Sequence, residues 1–180
     1  MRSRRFEVVR AAVCDAPGSE TAAEIWHHRA MAASPARHLE RNAAELERLR
    51  GLGARLLAGE LRPRLAGEWT AAAVFAHLAF WDRFVVARWD RYDREGVIED
   101  LPDASTDLVN QAALPLWLPL SPSTAVAQAV DAAAGVCARI VALSPRAVEA
   151  TRSPDRLWML DRTYHWTPHL DELEGPAGVA

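Results

Sequence analysis

Apolar residues recur along this chain with the period of an α-helix in several separate segments. The longest segment begins after Thr70, a residue type that often caps helices, and runs without glycine or proline as far as Gly96. His77 lies beside its apolar stripe. The stripe follows the i, i+4, i+7 rule, which predicts a long helix with one face in the core: Val74, Leu78, Trp81, Val85 and Trp89.

An earlier helix is predicted to begin at Ser34. This serine suits the N-cap, and Pro35 suits the first helical position, where its missing N–H is tolerated. Gly59, Pro63 and Gly67 then separate this helix from the next one. Leucines recur along it at roughly helical spacing: Leu39, Leu46, Leu49, Leu52 and Leu56.

Three more helical segments follow. Residues 108–118 have a helical pattern that Pro119 and Pro122 interrupt, so this part is either one kinked helix or two pieces. An alanine-rich helix is predicted over residues 123–143, and the last periodic segment covers roughly residues 161–174. Neither a β-alternation of useful length nor an internal repeat is present.

These segments predict an all-α fold. The expected architecture is four main antiparallel helices in one bundle, with short connecting helices, over residues 34–174. Residues 1–33 have no regular period, and we expect them to be a disordered or spurious extension, with Met31 as a hypothetical true start. Residues 175–180 are predicted to be a tail.

Composition narrows the classes of function. The chain has 180 residues, of which 50% are hydrophobic, enough for the core of one domain. Its net charge of -3 gives no basic field for nucleic acid, and no uncharged apolar window of about 18 residues predicts a membrane span. The only cysteines are Cys14 and Cys137, too few for a disulfide framework. We therefore expect a cytoplasmic protein without nucleic-acid or membrane partners.

The histidines carry the clearest candidate chemistry. His165 and His169 stand at i and i+4, so a helix places both imidazoles on one face, where they can share a metal ion. A third ligand must come from another helix, and His77 is the candidate. Three imidazoles with one open position suit zinc, nickel or ferrous iron. A lone histidine is more often a surface or satisfied interior residue, so spacing alone leaves the site undecided. The other histidines are expected to be solvated: His27, His28 and His38.

The order of three sequence motifs resembles the DinB-like family, also called the DinB/YfiT superfamily. The motifs are WTAAAVFAHLAFWDRF, a middle segment containing DLVNQAALPLW, and a terminal YHWTPHLDELE. The resemblance covers about residues 34–174 and extends to the N-terminal domains of mycothiol-dependent maleylpyruvate isomerases. It implies a four-helix bundle in which one histidine of the second helix and an HxxxH pair of the last helix bind a divalent metal. The matching residues here are His77, His165 and His169.

Pro168 departs from an uninterrupted HxxxH helix. Inside a helix, proline removes one backbone hydrogen bond and clashes with the carbonyl four residues earlier, at roughly 3 kcal/mol. If the helix begins at Thr167 with Pro168 in its first position, the pairing of His165 with His169 is lost. If the helix begins near Asp161, the pairing is kept and a kink is expected.

Other residues are candidates for the surroundings of the metal. Asp82 and Asp171 follow their histidines and could accept an imidazole N–H, and Asn110 could line a pocket. Arg162 could hold a substrate carboxylate, although an exposed arginine in a first helical turn is the simpler interpretation. Four of the tryptophans are expected to be core residues first and a wall for an apolar substrate second: Trp69, Trp81, Trp117 and Trp166.

The family resemblance also implies a function. Characterised relatives include isomerases and S-transferases that depend on a low-molecular-weight thiol such as mycothiol or bacillithiol. In such a mechanism the metal binds the cofactor thiol, favours the thiolate and presents it to a small electrophilic substrate. Two alternatives remain: a non-catalytic bundle that binds a metal or ligand, with homodimerisation through helix faces possible, and a metal-dependent hydrolase with Asp82 as the base.

Overall fold

The computed structural model describes residues 35–175, and all regular elements within this range are helical. The predicted all-α class is thus confirmed. The predictions for residues 1–33, including a start at Met31, and for the tail from residue 176 onward concern positions outside the described range. The helices are α1 (Pro35–Leu57), α2 (Ala71–Glu95), α3 (Asp103–Trp117), α4 (Pro122–Val141), α5 (Pro145–Ala150), a short 3-10 helix (Pro154–Met159) and α6 (Thr163–Glu174).

The ends of α2 are set by the two residues that the sequence indicated. Oγ1 of Thr70 accepts a hydrogen bond from the N–H of Ala73 at 3.1 Å, which satisfies one of the open donors at the helix start. Gly96 ends the helix with a φ of 73°, a left-handed conformation that glycine adopts without strain. Its N–H donates to the carbonyl of Tyr92 at 2.7 Å.

Pro119 and Pro122 lie where the chain passes from α3 to α4. Helix α3 begins at Asp103 rather than near residue 108, and it continues through Pro115 to Trp117. Pro122 does not interrupt a helix but occupies the start of α4, where Ser121 caps the N–H of Thr124 at 3.1 Å. Two separate helices are therefore present, which is the second of the two alternatives that the sequence left open.

Helix α2 is the centre of the packing. It contacts α3, α4, α5 and α6, while α1 packs against α4 and α6. Its most extensive contact is with α4, and short alanine side chains in general let two helix axes approach each other. The buried alanines of α4 are Ala125, Ala129, Ala132 and Ala133.

Helix α4 also meets a length and composition criterion for crossing a membrane. Among the described residues it is the one helix that does so, with a mean hydropathy of 1.3, and 39% of that window is buried inside the protein. A core helix of a soluble protein meets the same criterion, and α4 packs against both α1 and α2. The fold is therefore compatible with a soluble protein.

Replacing Gly53 with alanine is expected to destabilise the protein, whereas the same change at Gly51 is expected to stabilise it. A Cβ at Gly53 would lie 2.6 Å from Cγ1 of Val126, a stiff β-branched side chain on α4. Such overpacking typically costs about 1–3 kcal/mol. A Cβ at Gly51 meets no atom within 4 Å, so alanine there gains roughly 0.5–1 kcal/mol of helix propensity. Urea titrations measure both changes, and equal effects would show that α1 and α4 do not touch at Gly53.

Candidate metal centre

The three histidines proposed as ligands lie together, although they come from two helices. Nε2 of His77, near the start of α2, lies 3.0 Å from Nε2 of His165 and 3.2 Å from Nε2 of His169, both on α6. One ligand atom from each residue lies within 4.8 Å of the others. Positions 77 and 165 are far apart in the sequence, so the packing of α2 against α6 creates this cluster.

The distances between the rings fit a metal ion with small adjustments. Two ligand atoms bound tetrahedrally at roughly 2.05 Å from zinc lie about 3.3 Å from each other. The observed distances from Nε2 of His77, 3.0 and 3.2 Å, need to grow by only a few tenths of an ångström or less. Imidazole is a ligand that zinc, nickel and iron accept. The cluster could therefore bind a divalent metal.

The three imidazoles are held in their neutral form. Burial lowers the pKa of His77 and His165 well below the usual range, and the positive charge of Arg162 lowers both further. Burial lowers the pKa of His169 to about 4. A histidine must be neutral to bind a metal, so at neutral pH no imidazolium has to lose a proton first.

Pro168 does not disrupt the pairing of the two α6 histidines. Helix α6 begins at Thr163 and contains Pro168, so the start at Thr167 is wrong and the earlier start is close to the observed one. His165 and His169 stay on one face with ring centroids 5.0 Å apart. The proline is tolerated within a helix that is anchored by packing against α1 and α2.

Arg162 is completely buried and bonded to protein groups, so the prediction of an exposed side chain is wrong. Its Nε donates to Oδ1 of Asp82 at 2.9 Å, and its Nη1 donates to the carbonyl of Trp158 at 2.9 Å. Its Nη2 lies 3.1 Å from Nδ1 of His165. These partners engage the guanidinium in the protein interior, which leaves it unsuited to a substrate carboxylate.

Asp82 is the buried counter-charge of Arg162. Its carboxylate is fully buried on α2 and accepts from Arg162 and from Nε1 of Trp166 at 3.0 Å. Burial raises the pKa of Asp82, while the charge of Arg162 and these hydrogen bonds lower it, leaving the pKa above its ordinary value. Asp82 was expected to accept an imidazole N–H directly. Instead, Arg162 stands between Asp82 and His165.

The donors around the rings assign the hydrogen positions in the metal-free protein. A guanidinium can only donate, so Nδ1 of His165 accepts from Arg162 and Nε2 of His165 carries the hydrogen. That N–H is placed to donate to Nε2 of His77, whose own hydrogen is then on Nδ1. Nδ1 of His77 is buried without a hydrogen-bond partner among the described residues. One hydrogen-bonded series therefore links Asp82, Arg162, His165 and His77.

Three tryptophans surround His77. The ring centroids of Trp69 and Trp117 lie 5.5 and 5.3 Å from that of His77, with both rings nearly perpendicular to it, and Trp81 lies at 6.3 Å. Nε1 of Trp81 donates to Oδ1 of Asn110 at 2.9 Å. Asn110, which was predicted to line a pocket, therefore contacts a tryptophan that lies beside His77. Trp81, Trp117 and Trp166 are buried and Trp69 packs against the core, as expected of core residues. Their use as a wall for an apolar substrate stays a prediction.

Asp171 is exposed and pairs with α1 rather than with an imidazole. Its carboxylate lies 2.6 Å from Nη2 of Arg48, which also pairs with Glu174 at 2.5 Å. The prediction that Asp171 could accept an imidazole N–H is thus wrong, because its side chain is turned toward Arg48 on the neighbouring helix. Its contribution is to the contact between α1 and α6.

A second polar cluster anchors the start of α6. It was not predicted from the sequence. His38 is buried rather than solvated, and its Nδ1 lies 3.3 Å from Oδ2 of Asp161. Thr163 donates to Oδ1 of Asp161, and Oδ1 of Asn42 accepts the backbone N–H of Arg162 at 2.9 Å. Burial alone would raise the pKa of Asp161, but hydrogen bonds from His38 and Thr163 leave it below its ordinary value. This α6 anchor fixes the backbone that carries Arg162.

Comparison with known proteins gives no support from relatives: the sequence matches no family model, no curated protein and no solved structure. The resemblance to the DinB-like family therefore remains a prediction that rests on the motifs around the three histidines. The geometry of those histidines is an independent observation, because it depends on how α2 and α6 pack.

Proposed function

We propose that this protein is a DinB-like four-helix bundle that binds one divalent metal ion through His77, His165 and His169. The bundle would consist of α1, α2, α4 and α6, with α3 and α5 as connecting helices. The observation that carries the proposal is the convergence of three imidazoles from two helices, with one ligand atom of each within 4.8 Å of the others. Zinc, nickel and ferrous iron are the candidate ions.

The proposed reaction is the use of a low-molecular-weight thiol, of the mycothiol or bacillithiol type, for S-transfer or isomerisation of a small electrophile. When bound, a divalent metal lowers the pKa of a thiol in its open coordination position, so that the thiolate forms at neutral pH. The protein keeps three ligands neutral and excludes water with Trp69 and Trp117. Its own Cys137 is not suited to be the nucleophile, because burial raises the pKa of that thiol to about 11.

Metal-dependent hydrolysis is less well supported than thiol chemistry. It needs a carboxylate base beside a bound water, and the candidate was Asp82. Asp82 is fully buried and accepts hydrogen bonds from Arg162 and Trp166, so it is not free to take a proton from a water at the metal. A cytoplasmic location, a small-molecule substrate and a homodimer remain predictions that accompany the proposal.

Cobalt substitution tests the thiol proposal directly. Cobalt(II) bound to the three histidines is expected to gain a sulfur-to-cobalt charge-transfer band when mycothiol or bacillithiol is added, because the thiolate enters the open position. A Cys137→Ala variant should show the same band, which separates an added thiol from the protein's own cysteine. A cobalt spectrum that no thiol changes would leave a metal-binding bundle without thiol chemistry.

A further inference from the structure

We propose that Arg162 is a positioning residue that competes with the metal ion for His165, so that metal entry requires the contact between Arg162 and His165 to break. The inference rests on the proposed metal site and assigns the regulation of its affinity to a buried ion pair. The contact joins Nη2 of Arg162 to Nδ1 of His165 at 3.1 Å.

The argument starts from the number of hydrogens on a neutral imidazole. When Nε2 binds a metal, the single ring hydrogen must be on Nδ1. In His165 this hydrogen would point at an N–H of Arg162, and two donors would face each other across 3.1 Å. The contact of the metal-free protein is thus incompatible with a neutral, metal-bound His165.

Arg162 cannot easily turn away to relieve this conflict. Its Nε is held by Asp82, its Nη1 by the carbonyl of Trp158, and its backbone N–H by Asn42. All three contacts are about 2.9 Å long. Part of the interaction between the protein and the metal must therefore be used to separate His165 from Arg162.

This arrangement is the reverse of the usual support for a metal-binding histidine. Such a histidine normally donates its second N–H to a carboxylate or carbonyl, and removing that acceptor weakens metal binding by about 10–100-fold. In this protein the second nitrogen of His165 faces a donor, and the acceptor Asp82 lies on the far side of Arg162. Removing the donor is therefore expected to strengthen metal binding.

The first test measures the hydrogen positions on His165 by nitrogen-15 NMR of the metal-free wild-type protein. The inference requires a hydrogen on Nε2 and none on Nδ1, and it requires the reverse assignment of the hydrogen after Zn²⁺ is added. A hydrogen on Nδ1 of His165 in the metal-free protein would overturn the inference. So would a zinc-bound His165 whose Nδ1 still lacks a hydrogen, because the contact with Arg162 would then survive. Neither measurement needs a variant.

The second test is a Zn²⁺ titration against a competing chelator, in wild type and in the double variant Asp82→Asn/Arg162→Gln. The new amide oxygen at position 162 can accept from Nδ1 of His165, and a neutral amide at position 82 leaves no buried charge unpaired. We therefore expect zinc affinity to rise about tenfold. Arg162→Lys keeps a cationic donor and is the matched control, with an affinity close to wild type. An affinity of the double variant equal to or below wild type overturns the inference while the proposed metal site stands.

The same titration separates the two proposals if wild type fails to bind zinc. Binding by the double variant alone would support competition by Arg162 and would overturn the proposed native metal site. Absence of binding in both proteins, with the helical circular dichroism of each intact, would overturn both proposals.

Discussion

A His169→Ala variant is expected to lose the divalent metal that we expect wild-type protein to bind. Wild-type protein purified without an affinity tag should contain about one equivalent of a divalent metal, because three imidazoles and one open position make a single site. Mutating a residue that only supports a metal ligand weakens metal binding by about 10–100-fold. Loss of a ligand itself should therefore weaken zinc binding by at least about 100-fold. Plasma mass spectrometry measures the content, and titration against a chelator measures the affinity.

His38→Gln is the matched control for this experiment. His38 is another buried histidine on a packed helix, but its Nδ1 lies beside Arg41 and Asp161, and it is outside the cluster of three histidines. The variant should retain the metal even if its stability falls. Zinc at about 100 times its dissociation constant should also stabilise wild type by about 2.7 kcal/mol against urea and should not stabilise His169→Ala. Equal metal contents in wild type and His169→Ala would contradict the assignment, as would wild-type protein that stays metal-free after reconstitution.

The sequence was informative about α2 and the histidines because both depend on local spacing. Thr70 and Gly96 have backbone roles that a single position can reveal, and the i, i+4 spacing of His165 and His169 is preserved in any helix that contains both. Helix α3 was harder to place. Its first turn follows Pro102 and has no side-chain cap hydrogen bond, so its start differs from the capped starts of α2 and α4.

The polar contacts around the three histidines were not predicted, because they join residues that are distant in the chain. Asp82 has the same helical phase as Leu78 and Val85, a signal that it is buried and therefore needs a cation. Nothing local identifies Arg162 as that cation. Likewise, His38 and Asn42 share the phase of the buried leucines of α1, which could have predicted burial, but not their partners near the start of α6.

Replacing Arg162 with glutamine alone is expected to destabilise the protein by roughly 3–5 kcal/mol, the usual effect of removing one member of a buried ion pair. Both side chains of the pair are 0% exposed, so the carboxylate of Asp82 would remain in the interior without a counter-charge. Nε1 of Trp166 would be its remaining observed donor. Urea titrations of the metal-free proteins give the free energy of unfolding without a contribution from zinc.

The double variant Asp82→Asn/Arg162→Gln should recover a large part of this loss, because an amide at position 82 needs no counter-charge.

The effect of Arg162→Gln should also depend on pH. Burial already raises the pKa of Asp82, and losing the charge of Arg162 raises it further. A carboxyl group with a raised folded-state pKa contributes stability below its unfolded-state pKa and loses it as the pH rises through the folded-state pKa. The single variant should therefore be more destabilised at about pH 8 than at about pH 5. A pH-independent effect equal in the single and double variants would show that Arg162 stabilises the protein by packing and not as the counter-charge of Asp82.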